Sequence, residues 1–264
     1  MKKLLYKLLP SKKLQIIYRH VGVNASQVIS KDRPKWFTHE ICFANLVKTI
    51  KDSRNSGMEV NLHVLFDGNE ETYAKDFIKQ YYEAAQSSST PDLLKFKLKI
   101  FEGGSQYLAM QNAINYIEGS NFSEQDYIYL LENDYLHDSR WITSLDELLK
   151  SHIPFDYISL YDHPDKYPFN KCSHEMHQEL VSKLFFTKTM HWRTTPSSCA
   201  SFITSMKVFK EDNSILRMGL MDHLMFDELN KIGRVMVSPI PSLSTHCMAR
   251  FLAPCIKWES YLEK

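Results

Sequence analysis

Four short runs of apolar and β-branched residues recur along the first half of this chain, and a helical pattern separates each from the next. The runs are 14–19 (LQIIYR), 60–66 (VNLHVLF), 96–101 (FKLKIF) and 127–131 (YIYLL). Between them, Cys42, Phe43, Leu46, Val47 and Ile50 fall at helical spacing within 39–54. Residues 73–86 read as a second helix, and Met110, Ile114 and Ile117 form one stripe of a third over 106–118. Strands alternating with helices predict an α/β fold: a mainly parallel central sheet, flanked by helices and joined by right-handed crossovers. In such sheets ligands collect beyond the carboxyl ends of the strands. Asp67, the pair Gly103-Gly104, and the carboxylates Glu132 and Asp134 all stand at such ends.

The last of these ends is the most specific. In YIYLLENDYLHDSRW, 127–141, two acids spaced i, i+2 follow a buried-looking strand with no glycine or proline to turn the chain. If the chain bends there, both carboxylates reach a common point. Hard cations such as Mg²⁺ or Mn²⁺ take oxygen ligands of this kind together with substrate phosphates. The other reading of the same residues is that Asp134 or Asp138 caps a helix over 141–150. No GxGxxG and no GxxxxGK[ST] occurs, so a bound nucleotide must rely on a metal and side chains for its phosphates.

The second half predicts a strand over 155–161 (FDYISLY), a polar irregular stretch over 164–187, and a small-residue strand over 197–204 (SSCASFIT). A helix over 219–232 and a strand over 235–237 follow. At about 100° per residue, the helix places Asp222 on the arc of Met225, Phe226, Leu229 and Ile232, with Asp227, Asn230 and Lys231 turned away. A carboxylate on an apolar arc holds its proton more tightly, which suits a general base. Acids also favour first turns of helices for electrostatic reasons alone.

With 264 residues the chain is long enough for one large domain, and 32 basic against 31 acidic residues give no electrostatic case for nucleic acid. Five cysteines with no CxxC pair predict a reduced, cytoplasmic setting. Residues 1–13 place Leu4, Leu5, Leu8 and Leu9 on one helical face among five lysines. That pattern predicts peripheral contact with an anionic membrane surface, or else a terminal helix packed on its own domain.

In order of elements, and in the stretches LQIIYRH, VLFDGN, GGSQYLAMQNAI and YIYLLENDYLHDSRWI, the chain resembles the GT-A glycosyltransferases of the large inverting family. The resemblance implies a metal-dependent transferase using a UDP-, GDP- or dTDP-sugar donor and a glycan or lipid-linked glycan acceptor. It implies a donor half, 14–150, and an acceptor and base half, 151–264, of a single domain. Glu132 and Asp134 would hold Mn²⁺ or Mg²⁺, with Glu132 standing where the family's motif has aspartate, and His246 would complete the metal site. Donor-binding positions expected on this basis are His20, Val21, Gly22, Val23, Asp67, Gly104, Asn112 and Asn133, with Asp67 on the nucleoside. Asp222 would be the catalytic base. A sugar-phosphate nucleotidyltransferase is the competing enzyme, although IIYRHVGVN lacks the glycine-rich start such enzymes carry. A binding protein of the same fold is the non-catalytic alternative. The run His174-Glu175-Met176-His177 is one residue short of HExxH, so its histidines cannot share a helical face as a zinc protease requires.

Overall fold

The computed structural model describes residues 12–22, 32–53, 56–87, 95–168, 170–171, 175–219 and 221–262. Val23, most of the basic amino-terminal segment, Cys172 and His174 lie outside the described residues. In the first half the chain runs β1 (Lys13–Val21), α1 (His39–Asp52), β2 (Glu59–Asp67), α2 (Glu70–Ala74), α3 (Phe77–Ser87), β3 (Lys95–Phe101), α4 (Gln106–Glu118) and β4 (Tyr127–Glu132). It continues through β5 (Tyr135–His137), α5 (Trp141–Lys150), β6 (Tyr157–Ile158), β7 (Leu184–Phe186), β8 (His191–Thr194) and β9 (Phe202–Ser205). The remainder is α6 (Met206–Glu211), α7 (Asn213–Leu216), α8 (Asp222–Lys231), β10 (Met236–Ile240) and β11 (Ser244–His246).

Nine strands form one sheet in the order β3-β2-β1-β4-β9-β6-β10-β8-β7, and β5 pairs with β11 in a separate ribbon. The pairings run β9 and β8 against all the others, so the sheet is mostly parallel. Two apolar clusters sandwich it. One packs α1, α3 and α5 through Phe43, Leu46, Ile78, Trp141 and Leu145, and the other packs α4, α6 and α8 through Ile114, Ile117, Phe209 and Phe226.

Side-chain parity sorts the strands between these faces, because successive residues of a strand point to opposite sides. Ile16, Tyr18, Leu62, Val64, Phe66, Tyr129 and Leu131 face α1; Ile17, Leu65, Ile128 and Leu130 face α4. Strand order leaves β1 toward β2 and β3, then returns to β4 on the other side of β1. The reversal lies between β1 and β4, where open α/β sheets form a ligand crevice.

Several boundaries differ from expectation for physical reasons. The helix expected over 73–86 is broken at Asp76, whose carboxylate accepts from Ile78 N–H at 3.0 Å and starts α3. The strand expected over 155–161 shrinks to Tyr157–Ile158, and that over 197–204 begins only at Phe202. Ahead of it Ala200 takes a left-handed φ of 49°, which no strand accommodates. On α8, Met225, Phe226 and Leu229 are buried as their spacing predicts, but Ile232 ends the helix and is exposed. Neither Asp134 nor Asp138 caps α5: Arg140 holds the cap position without a side-chain bond, and Asp138 accepts from Arg140 and Tyr261. Among the described residues, no helix is long and apolar enough to cross a membrane.

Candidate active site

Parity brings Arg19, Val21, Asp67 and Glu132 to the carboxyl ends of β1, β2 and β4 on the α4 face. There they line a cavity of about 290 Å³ together with Gly104, Gln106 and Asn133. Asp67 Oδ1 accepts from Gly103 N–H at 2.7 Å, which ties the end of β2 to the turn before α4. A Cβ on Gly103 would meet Asp67 Oδ2 at 2.5 Å, so a side chain there would push the Asp67 carboxylate out of this bond. Gly104, at φ 73°, has open space where its Cβ would stand and leaves the cavity floor clear.

A second cavity, of about 440 Å³, adjoins the first, and Arg19 and Gln106 line both. Its far wall carries Asp222, Met225 and Ala200. Burial raises the Asp222 carboxyl above its ordinary pKa, while Arg19 and a backbone hydrogen bond at Ala200 pull the other way. Ala200 also accepts from Arg19 Nη2 through its carbonyl, at 3.4 Å. One residue in left-handed backbone thus touches both the cation and the acid.

Around Glu132 the charges pair tightly. Arg19 Nη2 donates to Glu132 Oε1 at 3.0 Å, and Ser201 Oγ accepts from the Glu132 N–H at 3.1 Å. Burial pushes Glu132 up to about 7 against the pull of Arg19, with Asp134 and Asp222 pushing the same way as burial. Asp134 Oδ2 accepts from Arg33 at 2.7 Å and meets His246 Nε2 at 2.9 Å. Burial opposes ionisation of Asp134, but His246 and Arg33 hold its carboxyl well below the usual range. Burial would likewise lower His246, yet Asp134 and Cys199 raise it well above an ordinary histidine. The His246 ring stacks on Tyr135 at 5.3 Å between centroids.

The expected site residues therefore divide. Val21, Asp67, Gly104, Asn133 and Glu132 line the first cavity and Asp222 the second, whereas Asp134 and His246 line neither. His20 is a correction: an even-numbered residue of β1, it points to the α1 face, 1 % exposed, among Tyr18, Phe66 and Phe77. Its Nε2 pairs with Asp76 at 3.1 Å and its Nδ1 meets the Asn133 carboxamide at 3.2 Å, so it touches the cavity only through Asn133. Gly22 is held instead by a backbone bond to Asp67 and packed near Phe66. Asn112 sits six residues beyond Gln106 on α4, roughly 9 Å along the axis, and lines neither cavity. Asp227, expected to face outward, lines a third cavity of about 290 Å³ with Asp165, Ser197 and His223.

A divalent ion needs several lone pairs aimed at one point. Here Glu132 Oε1 is taken by Arg19 and Asp134 Oδ2 by Arg33 and His246, while Asp134 Oδ1 is buried without a partner among the described residues. His246 Nε2 is already engaged with Asp134 Oδ2 at 2.9 Å. Among the described residues no group of three or more His, Cys, Asp or Glu side chains is arranged to hold a metal ion. As placed, the three residues expected as ligands do not fit a resident divalent ion: two guanidiniums and the His246 ring already occupy oxygens of both carboxylates.

Sequence reasoning passed over Arg19 and Ala200. The signal for Arg19 was present: a cation at the end of a buried strand, in the same parity as Asp67 on its neighbour.

No family model and no curated protein matches the sequence. Among solved structures the chain is similar to S. aureus TarS 1–349, at 11% identity and TM-score 0.46, covering 86% of this chain and 57% of that one. It thus spans little more than half the length of that protein. It is also similar to the inositol-1-phosphate CTP transferase of T. maritima (12% identity, TM-score 0.44, covering 95% of this chain and 94% of that one). A third is the nucleoside-diphosphate-sugar pyrophosphorylase of Vibrio cholerae RC9 (11% identity, TM-score 0.47, covering 94% and 100%).

Proposed function

We propose that this protein is a glycosyltransferase that moves a sugar from a UDP-, GDP- or dTDP-sugar to a hydroxyl of a glycan or lipid-linked glycan. The observation that carries the reading is the pair of adjoining cavities sharing Arg19 and Gln106, one lined by Asp67, Glu132 and Asn133 and the other by Asp222. In this reading the donor's nucleoside lies against Asp67 and Asn133, and its sugar projects past Arg19 toward Asp222.

Asp222 takes the proton as the acceptor oxygen attacks the anomeric carbon. The bond from that carbon to the diphosphate oxygen breaks, and its electron pair leaves on the nucleoside diphosphate. A single displacement of this kind inverts the anomeric centre. A carboxylate whose proton affinity is raised by burial is the better base near neutral pH.

The test is a panel of nucleotide sugars incubated with the protein and glycan acceptors, with products separated by chromatography. Release of free nucleoside diphosphate together with a glycosylated acceptor is the expected result. Formation of nucleotide sugar from a nucleoside triphosphate and a sugar phosphate, with pyrophosphate released, would make the protein a nucleotidyltransferase instead.

A further inference from the structure

The charge that meets the donor's phosphates has an identifiable source. Arg19 is 9 % exposed, and it lines both cavities. Its Nη2 is committed to Glu132 and Ala200, while its Nε is buried with no hydrogen-bond partner among the described residues. Nη1 makes no hydrogen bond among the described residues and, unlike Nε, is not among the buried atoms, so it is the guanidinium nitrogen left to meet an acceptor in the cavities that Arg19 lines.

A second element points the same way. The 13-residue helix α4 begins at the floor of the first cavity, where Ser105 and Gln106 are lining residues. Ser105 takes the Leu108 N–H on its Oγ and the Ala109 N–H on its carbonyl. The N–H groups of Gln106 and Tyr107 precede any intrahelical acceptor, as at every helix start, and they carry the positive end of the helix dipole. A guanidinium fork facing a helix amino terminus is a donor set matched to phosphate oxygens.

We infer that Arg19, with the first turn of α4, binds the diphosphate of the donor and supplies the neutralising charge that was expected from a divalent ion. The inference rests on the nucleotide-sugar reading for the identity of the ligand, but the chemistry it names is that of a diphosphate alone. Glu132 acts here as the residue that holds the guanidinium in place, not as a metal ligand. Departure of the nucleoside diphosphate is then assisted by a fixed side chain whose charge is always present.

The experiment is calorimetric titration of the full chain with inorganic pyrophosphate in buffer containing EDTA. Wild type binds. The double variant Arg19→Gln, Glu132→Gln replaces the ion pair with two amides able to bond each other, and it should weaken binding at least about tenfold while keeping its melting transition. Gln106→Glu leaves the Arg19–Glu132 pair untouched and sets a carboxylate at both cavities; it should weaken binding similarly. Unchanged affinity in both variants overturns the inference, as does binding that appears only when Mn²⁺ replaces EDTA. UDP, GDP and dTDP titrated in parallel separate the two claims. Pyrophosphate binding that depends on Arg19, with no nucleoside diphosphate bound more tightly, keeps the anion site and removes the nucleotide-sugar reading.

Discussion

Arg19 and Glu132 stand directly opposite one another across the parallel β1–β4 pair, joined at 3.0 Å from Nη2 to Oε1, at the point where the strand order reverses. Strand register alone therefore sets the separation of the cation and the acid at the centre of the site.

Removing one partner of that pair should be felt in stability. Breaking a buried pair from one side costs about 3–5 kcal/mol, and the 23% exposure of Glu132 puts Glu132→Ala at the lower end of that range. Glu132→Gln keeps an oxygen for Nη2 and should cost less than half as much. Urea unfolding measures both, and equal losses would mean that the carboxylate does not hold the guanidinium.

Asp222 carries the proposed chemistry. Asp222→Asn should retain nucleotide-sugar affinity and lower turnover by about 10²-fold or more. Because burial raises its pKa, the acid limb of kcat/KM should lie above the ordinary carboxylate range, with activity lost as pH falls through it. That limb should vanish in Asp222→Asn. Asp227→Asn, in the separate third cavity, should leave donor hydrolysis unchanged. Loss of donor binding in Asp222→Asn would assign the residue to binding, not proton transfer.

Ala200 is the strained link between the two cavities. At φ 49° a β-branched side chain is strongly disfavoured, so Ala200→Val should destabilise the fold by about 1–3 kcal/mol and reduce turnover by displacing Asp222 and Arg19 together. Ala200→Gly removes the steric conflict and should be tolerated, with a melting temperature at or slightly above wild type. A lower melting temperature for the glycine variant than for the valine variant would refute the strain.

Acid sensitivity has a buried source. His63 is 1 % exposed, between Gln15 Oε1 at 2.9 Å and Tyr116 Oη at 2.8 Å, and burial lowers its pKa from 6.5 to about 4. Between those two values the unfolded chain binds a proton that the folded chain does not. Stability is therefore fully present above pH 6.5 and lost as pH falls toward 4, by up to about 1.4 kcal/mol per pH unit. His63→Gln should flatten the stability profile in that window. His39 and His137 are lowered in the same direction, so the slope should shrink without disappearing.

The parallel half was legible because its strands are long and its helices carry apolar stripes of adequate length. The run expected at 127–131 became Tyr127–Glu132, and that at 60–66 became Glu59–Asp67. On the far side of the sheet β6 and β9 were expected but too long, and β7 and β8 were missed, because these strands have two to four residues each, too few to show a period. Their pairings depend on partners distant in the chain. The placement of Asp222 on the Met225 side of α8 followed from helix phase, and the cavity there did not, since Ala200 and Met221 reach it through irregular backbone. His20 was misplaced by one step of parity: adjacent to Arg19, it belongs to the opposite face.

The reversed strand β9 makes the sheet a measuring device. It pairs Leu130 with Phe202, which brings Ala200, two residues earlier, level with Glu132. A slip of two residues in that register keeps every apolar side chain on its proper face, so the core would tolerate it, yet it would carry Ala200 about 7 Å along the sheet. The proton acceptor and the guanidinium would fall out of alignment while the protein stayed folded. Insertions or deletions in the 195–201 segment therefore threaten alignment more than folding, and an inactive variant that melts normally is the signature to look for.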